Sequence, residues 1–103
     1  MADVFTYHFV WDPAKAAENL AKHGVSFRLS TTIFRDALAL TVYDDEHSQA
    51  EERWATIGHA ENGQVLVVIH THEAFAANQA RVRVISARAA DRREIADYED
   101  TPR

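Results

Sequence analysis

The 103-residue chain contains no cysteine. That excludes disulfides, thiolate metal sites and a cysteine nucleophile, and it agrees with a reducing compartment. Glycine and proline are scarce as well, at three and two positions, so nothing reads as a linker or low-complexity segment. The longest strongly apolar run, Val65 to Ile69, is far short of the roughly 20 residues a membrane helix needs. No basic stretch followed by an apolar one opens the chain, so the expectation is a cytoplasmic protein without membrane contact. Positive charge is also in short supply: 11 Lys and Arg stand against 16 Asp and Glu, for a net charge of −5. General affinity for a polyanion is opposed by that balance. What the chain does have is 47% apolar residues, enough for one modest core, and a single domain over residues 1–103 is expected.

The charges are unevenly spread. Five of the nine arginines fall between Arg81 and Arg93, whereas Asp44, Asp45, Glu46, Glu51 and Glu52 crowd the middle. A local basic surface can therefore stand on an acidic protein, with weak and salt-sensitive general affinity for nucleic acid.

Val4 to Trp11, rich in aromatic and β-branched residues, reads as a strand. Asp12-Pro13 then supplies an N-cap and a first-turn proline, and Gly24 a C-terminal glycine, which delimits a helix from Pro13 to His23. Its expected apolar stripe is Ala14, Ala17, Leu20 and Ala21, with Lys15, Asn19, Lys22 and His23 on a second face. Charge stripes of that kind ordinarily face water. Ser26 can cap a short second helix carrying Phe27, Leu29, Ser30, Ile33 and Phe34 inward, with Asp36 beyond its end.

From Leu38 the period becomes two. Leu38, Leu40 and Val42 share one side of a strand, and Arg53, Ala55 and Ile57 alternate with Glu52, Trp54 and Thr56 in the next. Asn62-Gly63 turns that strand into Val65 to His70. Glu73 to Gln79 has no clear period and reads as a loop or one helical turn. In the strand from Arg81 to Arg88, Arg81, Arg83, Ile85 and Ala87 share one face, and Val82, Val84, Ser86 and Arg88 the other. Asp91 with Glu94 has capping-box spacing and opens a last helix through Ile95 and Tyr98, before a frayed tail from Glu99 to Arg103. The expected class is α+β: an N-terminal strand and two helices, an antiparallel sheet of about four strands, and a C-terminal helix, with the helices packed on the sheet.

Three stretches together resemble the BrnT toxin family. Phe9-Val10-Trp11-Asp12 with Lys15, Asn19 and Lys22-His23-Gly24-Val25-Ser26-Phe27 is similar to its N-terminal signature. Asp45-Glu46-His47-Ser48, Glu51-Glu52-Arg53 and Ile57-Gly58 resemble its central segment, and Arg83-Val84-Ile85-Ser86-Ala87-Arg88 with Arg92, Arg93, Glu94 and Tyr98 its C-terminal run. The resemblance implies a RelE-like fold and an endoribonuclease that arrests translation. It also implies a BrnA-type antitoxin partner, in a 2:2 heterotetramer, that carries the DNA-binding domain. The toxin itself is then expected to make no direct DNA contact. Two departures stand out: Ala89-Ala90 follows Arg88 where the family usually has a lysine, and the connection from Thr71 to Gln79 is longer than usual. Both leave open an alternative, a catalytically weakened antitoxin-binding module acting as co-repressor.

Metal-free RNA cleavage uses the ribose 2′-hydroxyl as nucleophile and requires a base, a stabiliser of charge at phosphorus and an acid. Arginine suits the second task because its planar fork binds two phosphate oxygens. Arg53 and Arg83, both on strands, are the candidates, against surface ion pairing as the ordinary alternative. His23 is chemically apt for proton transfer because an imidazole titrates near neutral pH, but it could equally serve only to complement the dipole at a helix C-terminus. Lys22 is a phosphate ligand or an acid; Glu52 is a base or the carboxylate that orients Arg53. Lys15, Arg88 and Tyr98 are candidate RNA-binding residues, Tyr98 being as well placed for the core. His70 and His72 beside Glu73 lack a third ligand of similar quality, so they read as solvated histidines, with no metal and no other cofactor expected.

Overall fold

Asp12 and Gly24 bound the first helix by the chemistry expected of them. The Asp12 carboxylate accepts from the Ala14 amide at 2.8 Å, and Gly24 takes φ of 70°, a left-handed conformation that glycine adopts without a Cβ clash. In the computed structural model, which describes residues 4–102, this helix α1 (Pro13–His23) follows strand β1 (Thr6–Val10). Helix α2 (Phe27–Thr31), capped by Ser26, runs into a 3₁₀ turn at Thr32–Arg35, and Asp36 ends it. Strands β2 (Leu40–Tyr43), β3 (Trp54–His59) and β4 (Val65–His70) come next. Strand β5 (Glu73–Ala76), the long β6 (Gln79–Ala89) and helix α3 (Arg92–Asp100) complete the order. No helix of the described residues is long and apolar enough to cross a membrane.

The α+β class stands, but the sheet is mixed. Its order is β1-β6-β4-β3-β2, with β5 also on β6, and β1 runs parallel to β6 while the other pairings are antiparallel. Periodicity could not show this, because a strand's alternation carries no information about its partner. The unassigned stretch is neither loop nor helix: β5 pairs with the start of β6, so the longer connection is an ordered extension of the β4 to β6 hairpin. Between β3 and β4 the turn closes from Ala60 to Gln64 with Gly63 at φ of 89°. Helix α3 continues through Glu99 and Asp100 where a frayed tail was expected; Arg103 lies outside the described residues.

The core occupies one face of the sheet. Val25 from the loop after α1, with Phe27 and Ile33 from the helical segment that follows, meets Leu66, Val68, Val84 and Ala87 from β4 and β6. Burial alternates along β6 through Ala80, Val82 and Val84 and then skips to Ala87. The cause is a bulge: Ser86 faces Ile69, but Val84 faces His70, leaving Ile85 as the extra residue. The expected face assignment therefore holds only up to Val84. Beyond the bulge the parity inverts, which brings Ser86 and Arg88 to the side of the sheet on which Arg81 and Arg83 stand. His70, expected in solvent, is 1% exposed. Its Nδ1 donates to the Thr71 carbonyl at 2.8 Å, so its Nε2 accepts from Thr56, whose oxygen in turn accepts from Thr41. Burial holds its pKa below the ordinary imidazole value, with His72 adding to this and the Thr71 bond opposing it.

Helix α1 is turned over relative to its hydrophobic pattern. Ala14, Ala17, Leu20 and Ala21 are exposed, whereas Asn19, assigned to the water-facing side, is buried. The reason is the free edge of β6. Strand β1 pairs with β6 only from Gln79 to Arg83, and beyond that point Asn19 takes the place of a neighbouring strand. Its amide nitrogen donates to the Ala87 carbonyl at 2.8 Å and its oxygen accepts from the Ala87 amide at 3.1 Å; the nitrogen also donates to the Val25 carbonyl at 2.9 Å. Exposing Leu20 costs about 1.5 to 3 kcal/mol, while leaving several buried backbone groups unpaired would cost about 1 to 3 kcal/mol each. Orienting the amide inward is the better arrangement. Asn19→Ala is expected to lower the unfolding free energy by about 2 to 4 kcal/mol in urea titration, and a loss under about 0.5 kcal/mol, the scale of an exposed site, would refute this account.

Candidate active site

Arg53 and Arg83 meet across the sheet face opposite the core. Arg53 is held just before β3 by its backbone: its amide donates to Ser48 Oγ at 2.9 Å and its carbonyl accepts from the Asp44 amide at 2.9 Å. The Arg83 amide donates to Thr71 Oγ1 at 3.0 Å, and its carbonyl accepts from the Thr71 amide at 3.0 Å. Both side chains converge on one oxygen of Glu51: Arg53 Nη2 stands 3.5 Å from Oε1, and Arg83 Nη2 makes a shorter ion pair with it. Arg53 Nε is buried and has no hydrogen-bond partner among the described residues. An unfilled guanidinium donor at that position is uncommon in a folded protein.

These residues line a cleft of 390 Å³ with Asp12, Lys15, Val84 and Ile85. Lys15 also belongs to a neighbouring depression of 200 Å³, together with Glu18, Asn19, Lys22, His23, Ile85 and Ser86. On the other side, Glu51 and Arg83 border a third hollow of 380 Å³ that includes Glu52, His72, Glu73 and Arg81. One surface thus runs from the C-terminal turn of α1 past Ile85 to the arginine pair. Of the residues singled out in the sequence, Lys15, Lys22, His23, Glu52, Arg53 and Arg83 all border it.

Two others are elsewhere. Arg88 shares the sheet face but is clamped by Glu94 of α3 through two parallel bonds of 2.7 and 2.8 Å. The pairing raises the Arg88 pKa, and with it the carboxyl of Glu94, bonded to Arg88 and to the Asp91 amide, is lowered to about 2. Tyr98 is 3% exposed. It sits beside an apolar groove of Leu40, Val42, Ala55, Ile57 and Val67, and its hydroxyl donates to Asp36 and lies 3.1 Å from His59 Nδ1. Partial burial of Asp36 opposes ionisation, yet the Tyr98 hydroxyl and the His59 and Leu38 amides outweigh it and hold the carboxyl below its ordinary value. That cluster ties β3 and α3 to the segment after the 3₁₀ turn.

The carboxylate against Arg53 is Glu51, where the sequence reading had put Glu52. A signal for it was present: Glu51 and Arg53 are two apart, and in an extended segment such residues share a side. Among the described residues no group of three or more His, Asp or Glu is arranged to hold an ion.

The Arg88–Glu94 pair sets a pH dependence of stability. Because the folded pKa of Glu94 is depressed, its contribution is fully present above the unfolded carboxylate value of about 4.3 and is lost as pH falls through about 2. Glu94→Gln is therefore expected to lower stability at pH 7 and to flatten the decline between those values in denaturant titrations run across pH. An unchanged acid slope in the variant would show that the pair does not set it.

Comparison with known proteins bears on this surface. The family model for "Ribonuclease toxin, BrnT, of type II toxin-antitoxin system" matches residues 11–94. Among solved structures, the chain is similar to the 1.1 Å crystal structure of the Brucella abortus ribonuclease toxin, BrnT. The two share 25% identity with a TM-score of 0.60, over 84% of this chain and 100% of that one. Among curated proteins no match is found.

Proposed function

Because the chain belongs to the BrnT ribonuclease toxins of type II toxin-antitoxin systems, we propose that the surface between α1 and the arginine pair binds RNA and cuts it without a metal. The observation that carries this reading is the convergence of Arg53 and Arg83 on one anionic oxygen, beside the unfilled Arg53 Nε. A phosphodiester at that point would present two non-bridging oxygens to two guanidinium forks. The ribose 2′-oxygen attacks phosphorus as its proton leaves to a base, the bond to the 5′-oxygen breaks, and that oxygen takes a proton from an acid. The products are a 2′,3′-cyclic phosphate and a 5′-hydroxyl. The arginines hold the charge that accumulates at phosphorus. Lys15 and Lys22, along the same surface, supply cations to the flanking backbone, with His23 beside them, and His23 or Lys22 is the acid. Glu52 flanks the site across Arg83. Arg88 is available to RNA only by giving up Glu94, and Tyr98 only by leaving its buried place, so both act through the fold in this reading.

Arg83→Ala should lower RNA cleavage about a hundred- to a thousandfold, and abolish growth arrest, while shifting stability within about 0.5 kcal/mol, as its exposed position implies. Arg81, which pairs with Glu73 at 2.8 Å and stands over Phe75, is the control and should be much milder. The assay is run in excess chelator, where the wild type should lose nothing. A folded Arg83→Ala variant that cleaves and kills like the wild type removes the arginine pair from the reaction, and activity restored only by added zinc or magnesium overturns the metal-free chemistry.

The same family membership implies a cognate antitoxin, which we infer to be BrnA-type and to form a 2:2 assembly with this chain. Exposed apolar side chains, Phe75 at 50% among them, agree with a partner surface. Co-expression with the adjoining gene should give a single peak of that mass in size-exclusion chromatography with light scattering; two independent peaks would count against it.

A further inference from the structure

On the strength of that reading, the geometry points to Glu51 as the general base, a carboxylate that holds the phosphate seat until RNA displaces it and then takes the 2′-hydroxyl proton. Three observations carry the inference. First, Glu51 Oε1 already sits where a non-bridging phosphate oxygen would sit, against Nη2 of both Arg53 and Arg83. Second, the arginines are anchored and Glu51 is not in a strand. Arg53 and Arg83 are fixed by backbone bonds to Ser48, Asp44 and Thr71, whereas Glu51 lies in the bend between a 3₁₀ turn at Asp45–His47 and β3, with its side chain 38% exposed. An incoming anion can therefore move the carboxylate without disturbing the cations. Third, Arg53 Nε has no partner among the described residues even with Glu51 in place, so the seat takes more acceptors than one carboxylate supplies.

The ribose on the 3′ side of a phosphodiester carries its 2′-hydroxyl on the carbon next to C3′, within reach of phosphorus, so a carboxylate pushed aside by the phosphate is left near that hydroxyl. Proton transfer then forms the neutral acid of Glu51, the 2′-oxygen bonds to phosphorus, and the 5′-oxygen leaves with a proton from the α1 side. Charge balances at each stage, since the two arginines keep the phosphorane's negative charge. Glu52, next in sequence, borders the hollow beyond Arg83 together with Glu51, but the carboxylate that meets both arginines is that of Glu51.

The test compares the wild type with Glu51→Gln, Glu51→Asp and the control Glu99→Gln, all checked for folding by thermal melting. Cleavage is followed across pH, and binding is measured with an RNA oligonucleotide in which every 2′-hydroxyl is methylated, which cannot be cut by this route. Glu51→Gln should lower kcat by about a hundred- to ten-thousandfold, the range of general base catalysis, and lose the acidic limb of the pH–rate profile. It should also bind the uncleavable oligonucleotide several-fold more tightly, because a neutral amide competes less for the arginines. Glu51→Asp should retain part of the rate, and Glu99→Gln, at an exposed carboxylate of α3 away from this surface, should stay near the wild type. Wild-type cleavage by Glu51→Gln, or a slower variant that keeps the acidic limb and binds the oligonucleotide more weakly, overturns the assignment of the base while leaving the ribonuclease reading intact. A wild type that neither cleaves RNA nor binds the oligonucleotide overturns both.

Discussion

The pairing of the Asn19 amide with the backbone of Ala87 is the contact on which the placement of the site depends. Strand β6 outlasts its parallel partner β1 by six residues, from Val84 to Ala89, and an exposed ladder edge there would leave peptide groups without partners. One asparagine satisfies both groups of Ala87 and reaches Val25 as well. By doing so it fixes α1 along the edge of β6 and ties the loop after the helix to the same point. The rotation of α1 follows: with Asn19 inward, Lys15, Lys22 and His23 are brought toward Ile85 and Ser86, and the alanines turn out.

The bulge at Ile85 matters for a related reason. A regular strand would have kept Arg88 on the core side, where a guanidinium would be costly to bury. The extra residue rotates the rest of β6 by half a period, so Ala87 fills the core next to Val84, and Arg88 reaches α3. The bulge thus separates β6 into two parts with different duties. Its first half carries Arg83 into the cleft, and its second half anchors both α1, through Ala87, and α3, through Arg88. An acidic protein can in this way keep a small cationic surface: most of its carboxylates lie elsewhere, and Glu73 and Glu94 pair with Arg81 and Arg88, the arginines of that sheet face outside the cleft.

Glu51 gives the arginine pair a further property. Two guanidinium groups held close repel each other, and in a chain of net charge −5 the cheapest neutraliser is a neighbouring carboxylate. The ion pair is partly exposed, so it stabilises the fold little and can be exchanged for another anion. That combination of anchored cations and a replaceable anion suits a site that must stay ordered when empty and open when a phosphate arrives.

What the sequence by itself determined was everything encoded within a few residues along the chain. The caps of Asp12, Ser26 and Asp91, the glycine ends at Gly24 and Gly63, and the two-residue alternation of β3 and the first half of β6 all rest on local backbone chemistry. The family signature was legible too, since it is a matter of residue order, and it brought Lys15, Lys22, His23, Arg53 and Arg83 forward together. Only the tertiary structure decided which side of α1 faces inward, because the hydrophobic pattern favours Leu20, and it was the unpaired edge of a strand 68 residues away that made Asn19 the buried residue. The parity change at Ile85, the parallel partner of β6 and the strand formed by the Thr71 to Gln79 connection were equally hidden. Each depends on the register of two segments distant in sequence, which alternation within one segment cannot encode. The carboxylate between the arginines belongs to the same class: Glu51 stands two residues from Arg53, but its contact with Arg83 exists only because the sheet brings positions 32 apart to the same oxygen.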